Sequence, residues 1–146
     1  MSEVVQALRQ GLGENLVAVV LFGSWARGEA GPESDWDLLV LAHGLKPLPR
    51  HFRLKTMLPE AWRGRVSILA KTPSEFTARP AELYLDIALD DVVLYDTDGY
   101  ITQRLAYLRD LIARHGLRRE RIGREMPWNW RQPPGSSWVL EWEDRR

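Results

Sequence analysis

The chain contains no cysteine among its 146 residues. That excludes a disulfide framework, a thiol nucleophile and thiolate metal sites. Lysine is nearly absent as well, present only at Lys46, Lys55 and Lys71; the remaining basic side chains are arginines. No apolar run approaches the roughly 18 residues needed to span a membrane. The opening Met1-Ser2-Glu3 lacks the basic start and apolar stretch of a secretion signal, so a cytoplasmic location is expected. There is no excess charge of either sign: 20 basic and 20 acidic side chains cancel. A neutral chain does not bind nucleic acid through its whole surface, although a local basic patch stays compatible with this balance.

What is present is an ordinary folding composition, 45% apolar and 27% charged. One domain is expected at this length. Tryptophan is unevenly spread. Four of the seven, Trp128, Trp130, Trp138 and Trp142, fall in the last twenty residues.

Along the chain, Ser2 is placed to cap a first helix to about Leu12, with Val5, Leu8 and Leu12 on one face. Leu16 to Phe22 is a continuous apolar run with β-branched residues, the pattern of a strand buried on both sides. Gly23-Ser24 breaks it, and a short helix fits Trp25 to Glu29. Gly31-Pro32-Glu33-Ser34 reads as a turn and Asp35 to Leu41 as a strand. An amphipathic helix is expected from Pro49 to Trp62, broken at Pro59, then a strand from Arg65 to Lys71. Thr72-Pro73-Ser74-Glu75 has the form of a helix start. Further helices are expected from about Pro80 to Asp90 and, capped by Asp98, from there to His115, with a strand at Val92–Tyr95 between them. The last helix has a stripe of Ile101, Leu105, Leu108, Leu111 and Ile112. Interleaved strands and helices predict an α/β (or α+β) fold with a mixed sheet of about four or five strands.

The chemistry is concentrated in Gly23-Ser24-Trp25-Ala26-Arg27-Gly28 and Ser34-Asp35-Trp36-Asp37. Strand alternation puts Asp35 and Asp37 on one face and Trp36 on the other. Two neighbouring carboxylates repel each other, and a divalent hard cation is the usual compensation. Mg²⁺ is commonly held by one or two carboxylates together with substrate phosphates. Glycine permits close backbone approach where a strand gives way to a helix, and N–H groups at a helix start favour phosphate. Arg27, one turn further on, is in reach of Asp35, Glu33 or a phosphate.

Gly23-Ser24, a gap of ten residues, then Asp35-x-Asp37 resembles the signature of the minimal nucleotidyltransferases, the antitoxin-type members of the DNA polymerase β-like superfamily. Ala26-Arg27-Gly28 and Ser34 fit the same pattern, and weaker similarity extends over residues 10 to 115. The resemblance implies a nucleotidyltransferase domain over residues 1–116 and an Arg/Trp-rich C-terminal extension over 117–146. It implies transfer of a nucleoside monophosphate from an NTP, with ATP preferred, to a hydroxyl. In that reading Gly23, Ser24 and Arg27 bind the nucleotide, and Asp35 and Asp37 are catalytic and hold Mg²⁺. The family's small members commonly adenylylate a tyrosine of a HEPN-type toxin encoded beside them, which suggests the acceptor and the partner.

One departure stands out. The superfamily carries a third acid on the next strand, and here Ser67 of Val66-Ser67-Ile68-Leu69 occupies that position. Glu75 or Asp86 could supply the missing carboxylate, one metal could suffice, or the chain could neutralise its partner by binding alone. Transfer to a small molecule such as an aminoglycoside is a further alternative, which the short chain disfavours.

Other features have plainer readings. Gly11-Leu12-Gly13-Glu14 precedes a strand, so it is no dinucleotide loop. His43, His51 and His115 lack metal-ligand spacing. Tyr84, Tyr95 and Tyr107 are better placed for packing than for self-modification. For the tail, packing on the chain's own sheet ranks first, a homo-oligomer or partner-docking arm second, and RNA binding a distant third.

Overall fold

A computed structural model describes residues 1–78, 82–119 and 128–130. The expected helix start at Pro80, the arginines Arg121 and Arg124, and Trp138 and Trp142 lie outside the described residues.

Four strands form one mixed sheet: β1 (Leu16–Phe22), β2 (Trp36–Ala42), β3 (Val66–Lys71) and β4 (Val92–Asp96). Their order is β3-β2-β1-β4. β1 runs antiparallel to both β2 and β4, and β2 runs parallel to β3. The fully apolar β1 therefore sits inside the sheet, where both of its faces are covered, as its unbroken hydrophobic run requires.

Helices cover the two faces. On one side α1 (Ser2–Leu12) and α3 (Arg50–Met57) set Val4, Leu8 and Leu54 against Val19, Leu38, Val40 and Ile68. On the other, α5 (Pro73–Ala78), α6 (Glu82–Asp90) and α7 (Tyr100–Arg114) set Phe76, Leu85, Ile101 and Leu105 against Ala18, Val20, Leu39 and Leu41. Two single-turn helices, α2 (Ser24–Arg27) and α4 (Glu60–Arg63), follow β1 and α3. Removing a fully buried side chain such as Phe76 costs about 3–5 kcal/mol, so either helical layer holds enough apolar contact to fix the sheet between them.

The chain continues from α7 into β5 (Leu117–Arg119), which pairs antiparallel with β6 (Trp128–Trp130). Leu117 is buried in the α5–α7 core, so the entry to this second sheet is anchored on the first. Among the described residues no helix is long and apolar enough to cross a membrane.

The α7 stripe is buried as its spacing predicts. Thr72 and Glu75 form a reciprocal cap: the Glu75 N–H donates to Thr72 Oγ1 (3.1 Å) and the Thr72 N–H to Glu75 Oε1 (2.9 Å). Tyr84 is buried, and Tyr95 and Tyr107 pack at the margins of the two cores.

Three expectations are corrected. Ser2 lies within α1 and makes no cap; Met1 precedes the helix, and Val4 takes the deeply buried place expected of Val5. Asp98 does not cap α7. It adopts φ 54° in the turn with Gly99, whereas Asp96, at the end of β4, accepts from the N–H groups of Ile101 (3.0 Å) and Thr102 (3.1 Å). The cap comes from the residue whose strand points it at the helix start. The strand expected from Asp35 begins at Trp36, so Asp35 precedes β2, whereas the helix expected from Pro49 with a break at Pro59 is found as α3 and α4.

Candidate active site

The site is built where β1 ends and β2 begins. Phe22, the last residue of β1, is the register partner of Asp37 in β2. Gly23 follows with φ 79°, a conformation side chains rarely adopt. A Cβ there would also collide with the Asp37 carboxylate. Glycine is thus required twice over, by its dihedral and by the close passage of its backbone against an acid. Ser24 then opens α2, which closes when Glu29 N–H donates to Ser24 O (2.9 Å).

The start of β2 is fixed from both sides. Ser34 closes its turn by donating its N–H to Gly31 O (3.1 Å) and accepting the Gly31 N–H on Oγ (3.0 Å). Trp36 N–H donates to Arg65 O (2.9 Å), joining β2 to the approach of β3. Trp36 projects to the α1–α3 face, away from the acids, and stacks on Trp25 with centroids 4.0 Å apart and planes 6° from parallel. Trp25 Nε1 donates to Ser34 O (2.9 Å), and Trp62 meets Trp36 edge-on at 5.7 Å. The middle residue of the two-acid motif is thereby bonded through packing to the residue that follows Gly23-Ser24. Trp36 Nε1 is buried without a partner among the described residues, a cost of about 1–3 kcal/mol that the stack must offset.

Asp35 is exposed and Asp37 half-buried. The Asp37 carboxyl is held above its ordinary value, first by burial and then by the negative charge of Asp35; Arg27 pulls in the opposite direction without offsetting them. Neither acid has a hydrogen bond or ion pair with a described residue. Two adjacent, unpaired carboxylates, one already disfavoured as an anion, form a donor set that suits a hard divalent cation.

Ser67 is the register partner of Asp37 across β2 and β3, and it is exposed. Both candidate substitute acids are already engaged by arginines. Glu75 is engaged by Arg50 (2.7 and 3.3 Å) and by Thr72, and Asp86 accepts from Arg119 Nη1 (3.1 Å). No group of three or more His, Asp or Glu side chains positioned to hold a metal occurs among the described residues.

Two of the partners expected for Arg27 are not found. It bonds neither Asp35 nor Glu33. Its Nη1 donates to Asp90 Oδ2 (2.7 Å) and its Nε to Glu29 Oε2 (3.3 Å). Asp90, at the end of α6, has a side chain only 2% exposed, and it also receives Arg119 from β5. Asp90, Arg119 and the buried Arg50 carry no motif of their own; sequence reasoning missed all three.

The sequence profile of the nucleotidyltransferase domain family matches residues 1–98, a stretch that holds Gly23-Ser24 and both acids. The chain belongs to that family. A Methanocaldococcus jannaschii protein named "Putative protein adenylyltransferase MJ1305" is 29% identical over 120 residues, covering 78% of this chain and 82% of its own. Among solved structures, a chain of a toxin–antitoxin crystal structure with AMP-PNP matches with TM-score 0.57 at 20% identity, over 77% of this chain and 86% of that one. A chain of the complex of tri-AMPylated Shewanella oneidensis HEPN toxin with MNT antitoxin matches with TM-score 0.52 at 18% identity, over 77% and 83%. At these identities the structural likenesses establish the shared nucleotidyltransferase fold.

Proposed function

We propose that this nucleotidyltransferase is a protein adenylyltransferase that acts as an antitoxin. It would move AMP from ATP to a side-chain hydroxyl of a HEPN-type toxin in the cytoplasm. The observation that carries the reading is the pair of unpaired acids, Asp35 and Asp37, with Asp37 pressed against the Gly23 backbone. The names of the relatives support the choice of acceptor.

In this reaction the acceptor oxygen attacks the α-phosphorus of ATP, the bond to the β-phosphate oxygen breaks, pyrophosphate leaves, and the hydroxyl proton passes to solvent or to a site base. Gly23 and Ser24 would receive the triphosphate at the turn after β1. Asp35 and Asp37 would hold a divalent cation, Mg²⁺ in our reading. When bound, that cation supplies neutralisation of the phosphate charge. Arg27 adds positive charge beside the turn from its anchorage on Asp90. The division into a nucleotidyltransferase domain over residues 1–116 and an Arg/Trp-rich extension over 117–146, packing on the domain or on a partner, belongs to this proposal.

The test is incubation of the chain with ATP, Mg²⁺ and a HEPN-type toxin, followed by intact mass. One or more added adenylyl groups, lost with Asp35→Asn/Asp37→Asn, support the reading. An unmodified toxin that is nevertheless silenced would overturn it. That second outcome is the one expected of a neutralising module that works by occlusion, a reading favoured by Ser67 standing beside Asp37 where a further acid would be useful.

A further inference from the structure

Asp90 is approached by two guanidinium groups from two different parts of the chain. Arg27 belongs to the turn after Gly23-Ser24 and reaches Oδ2 at 2.7 Å. Arg119 belongs to β5 and reaches Oδ1 at 2.6 Å through Nη2 and Oδ2 at 3.1 Å through Nη1. The same Nη1 lies 3.1 Å from Asp86 Oδ1, one helical turn before Asp90 on α6. The carboxylate is almost fully buried, so its position follows the bonds it receives.

The consequence follows from the sharing. Arg119 supplies the hydrogen bond shown to Oδ1. If it withdraws, a buried carboxylate oxygen loses that donor, and the remaining attraction between Asp90 and Arg27 is no longer opposed from the β5 side. The Arg27 guanidinium then shifts with its partner. Arg27 is tied to the site by its backbone as well, since its N–H donates to Gly23 O (3.1 Å), so its side chain leaves from the Gly23-Ser24 turn itself.

We propose that Arg119 is a positioning residue for the nucleotide site: by sharing Asp90 with Arg27 it sets where the Arg27 charge stands beside the Gly23-Ser24 turn and Asp37, and so couples the docking of β5 to the binding of a nucleoside triphosphate. The coupling is reciprocal by thermodynamic necessity. A bound triphosphate that engages Arg27 strengthens the hold of Asp90 on Arg119. Displacement of β5 by a partner weakens nucleotide binding. The proposal rests on the functional reading above for the identity of the nucleotide.

The experiment is calorimetric titration of the full chain with ATP and Mg²⁺. Arg119→Ala is expected to weaken binding at least fivefold, the lower end of ordinary coupling between sites. Asp86→Asn, which loosens Arg119 while leaving Asp90 intact, is expected to weaken it less and in the same direction; it serves if Arg119→Ala folds poorly. Arg109→Ala removes bonds to Asp91 and to the Ala88 carbonyl on the same helix without touching Asp90, and is expected to bind ATP like the wild type. In an Arg27→Ala background, Arg119→Ala should have no further effect on affinity, because Arg119 acts through Arg27; a purely structural role would give the full loss again. In the wild type, ATP is expected to slow hydrogen exchange at residues 117–119. Wild-type affinity in Arg119→Ala, or an undiminished loss in the Arg27→Ala background, overturns the proposal. A wild-type chain that takes up no ATP overturns the functional reading itself, and the two failures are told apart by that first titration.

Discussion

Two groups of acids lie near each other and are treated in opposite ways. Asp90 is buried and receives two arginines, Arg27 and Arg119. Asp35 and Asp37 are more accessible, repel one another, and are given no ion pair by any described residue. A chain rich in arginine has thus neutralised the acid that holds elements together and left bare Asp35 and Asp37, the second of which lies against the Gly23 turn. Stability alone would favour the reverse for Asp37, whose charge is disfavoured by burial and by its neighbour. An unpaired acid pair at a glycine turn is the arrangement expected where an external cation completes the site.

That contrast is sharpened most by Asp35→Asn with Asp37→Asn. Adenylyl transfer should fall on the order of 10³-fold, the scale of losing the charge-stabilising groups of an active site. The melting temperature of the unliganded chain should hold or rise, because a repulsion is removed. A fall in calorimetric melting temperature alongside activity would break the contrast. Asp90→Ala should do the opposite. It strips a buried partner from two guanidiniums and should cost about 3–5 kcal/mol in urea unfolding. Gly23→Ala comes next. It forces a side chain into a positive φ and against Asp37, for about 1–3 kcal/mol of strain, and ATP affinity measured by calorimetry should fall with it.

The smallest effect belongs to Glu75, a third kind of acid, paired but at the surface. Its carboxyl is held below the usual value by the hydrogen bond from Arg50, with help from Thr72. Its stabilising contribution is therefore complete above the unfolded-state value of about 4.3 and is lost as the pH falls through the lower folded-state value. With the side chain 42% exposed, Glu75→Gln should cost no more than about 1 kcal/mol at neutral pH after solvent screening. The difference between wild type and variant in chemical denaturation should disappear on acidification.

How much could be read beforehand depended on how local the cause was. The stripe Ile101, Leu105, Leu108, Leu111 and Ile112 is periodic, and the helix it builds is buried along it. Alternation reads the acids less completely: Asp37 lies on β2 opposite Phe22, but Asp35 precedes the strand's first residue, Trp36, and its placement depends on the turn before it. Capping was harder, because Asp96 and Asp98 both precede α7 by a plausible distance and only the turn geometry chooses between them. The anchorage of Arg27 lay beyond reach. Its partner is 63 positions away in the chain, and nothing in either segment singles out Asp90 from the other acids. Pairings between distant charged side chains are settled by how the layers pack, which no short-range pattern encodes.

The stacked indoles of Trp25 and Trp36 bear on inheritance as well as on shape. Each occupies a position inside a motif whose flanking residues carry the chemistry, and each would look freely variable if its own motif were considered alone. Face-to-face contact at 4.0 Å makes them a single unit of selection. A change to a small residue at one should expose the other and be purged, while a matched change at both should be tolerated. In a suppressor screen, second-site revertants of a Trp25 lesion should therefore cluster at position 36, on the far side of a turn and in a different motif.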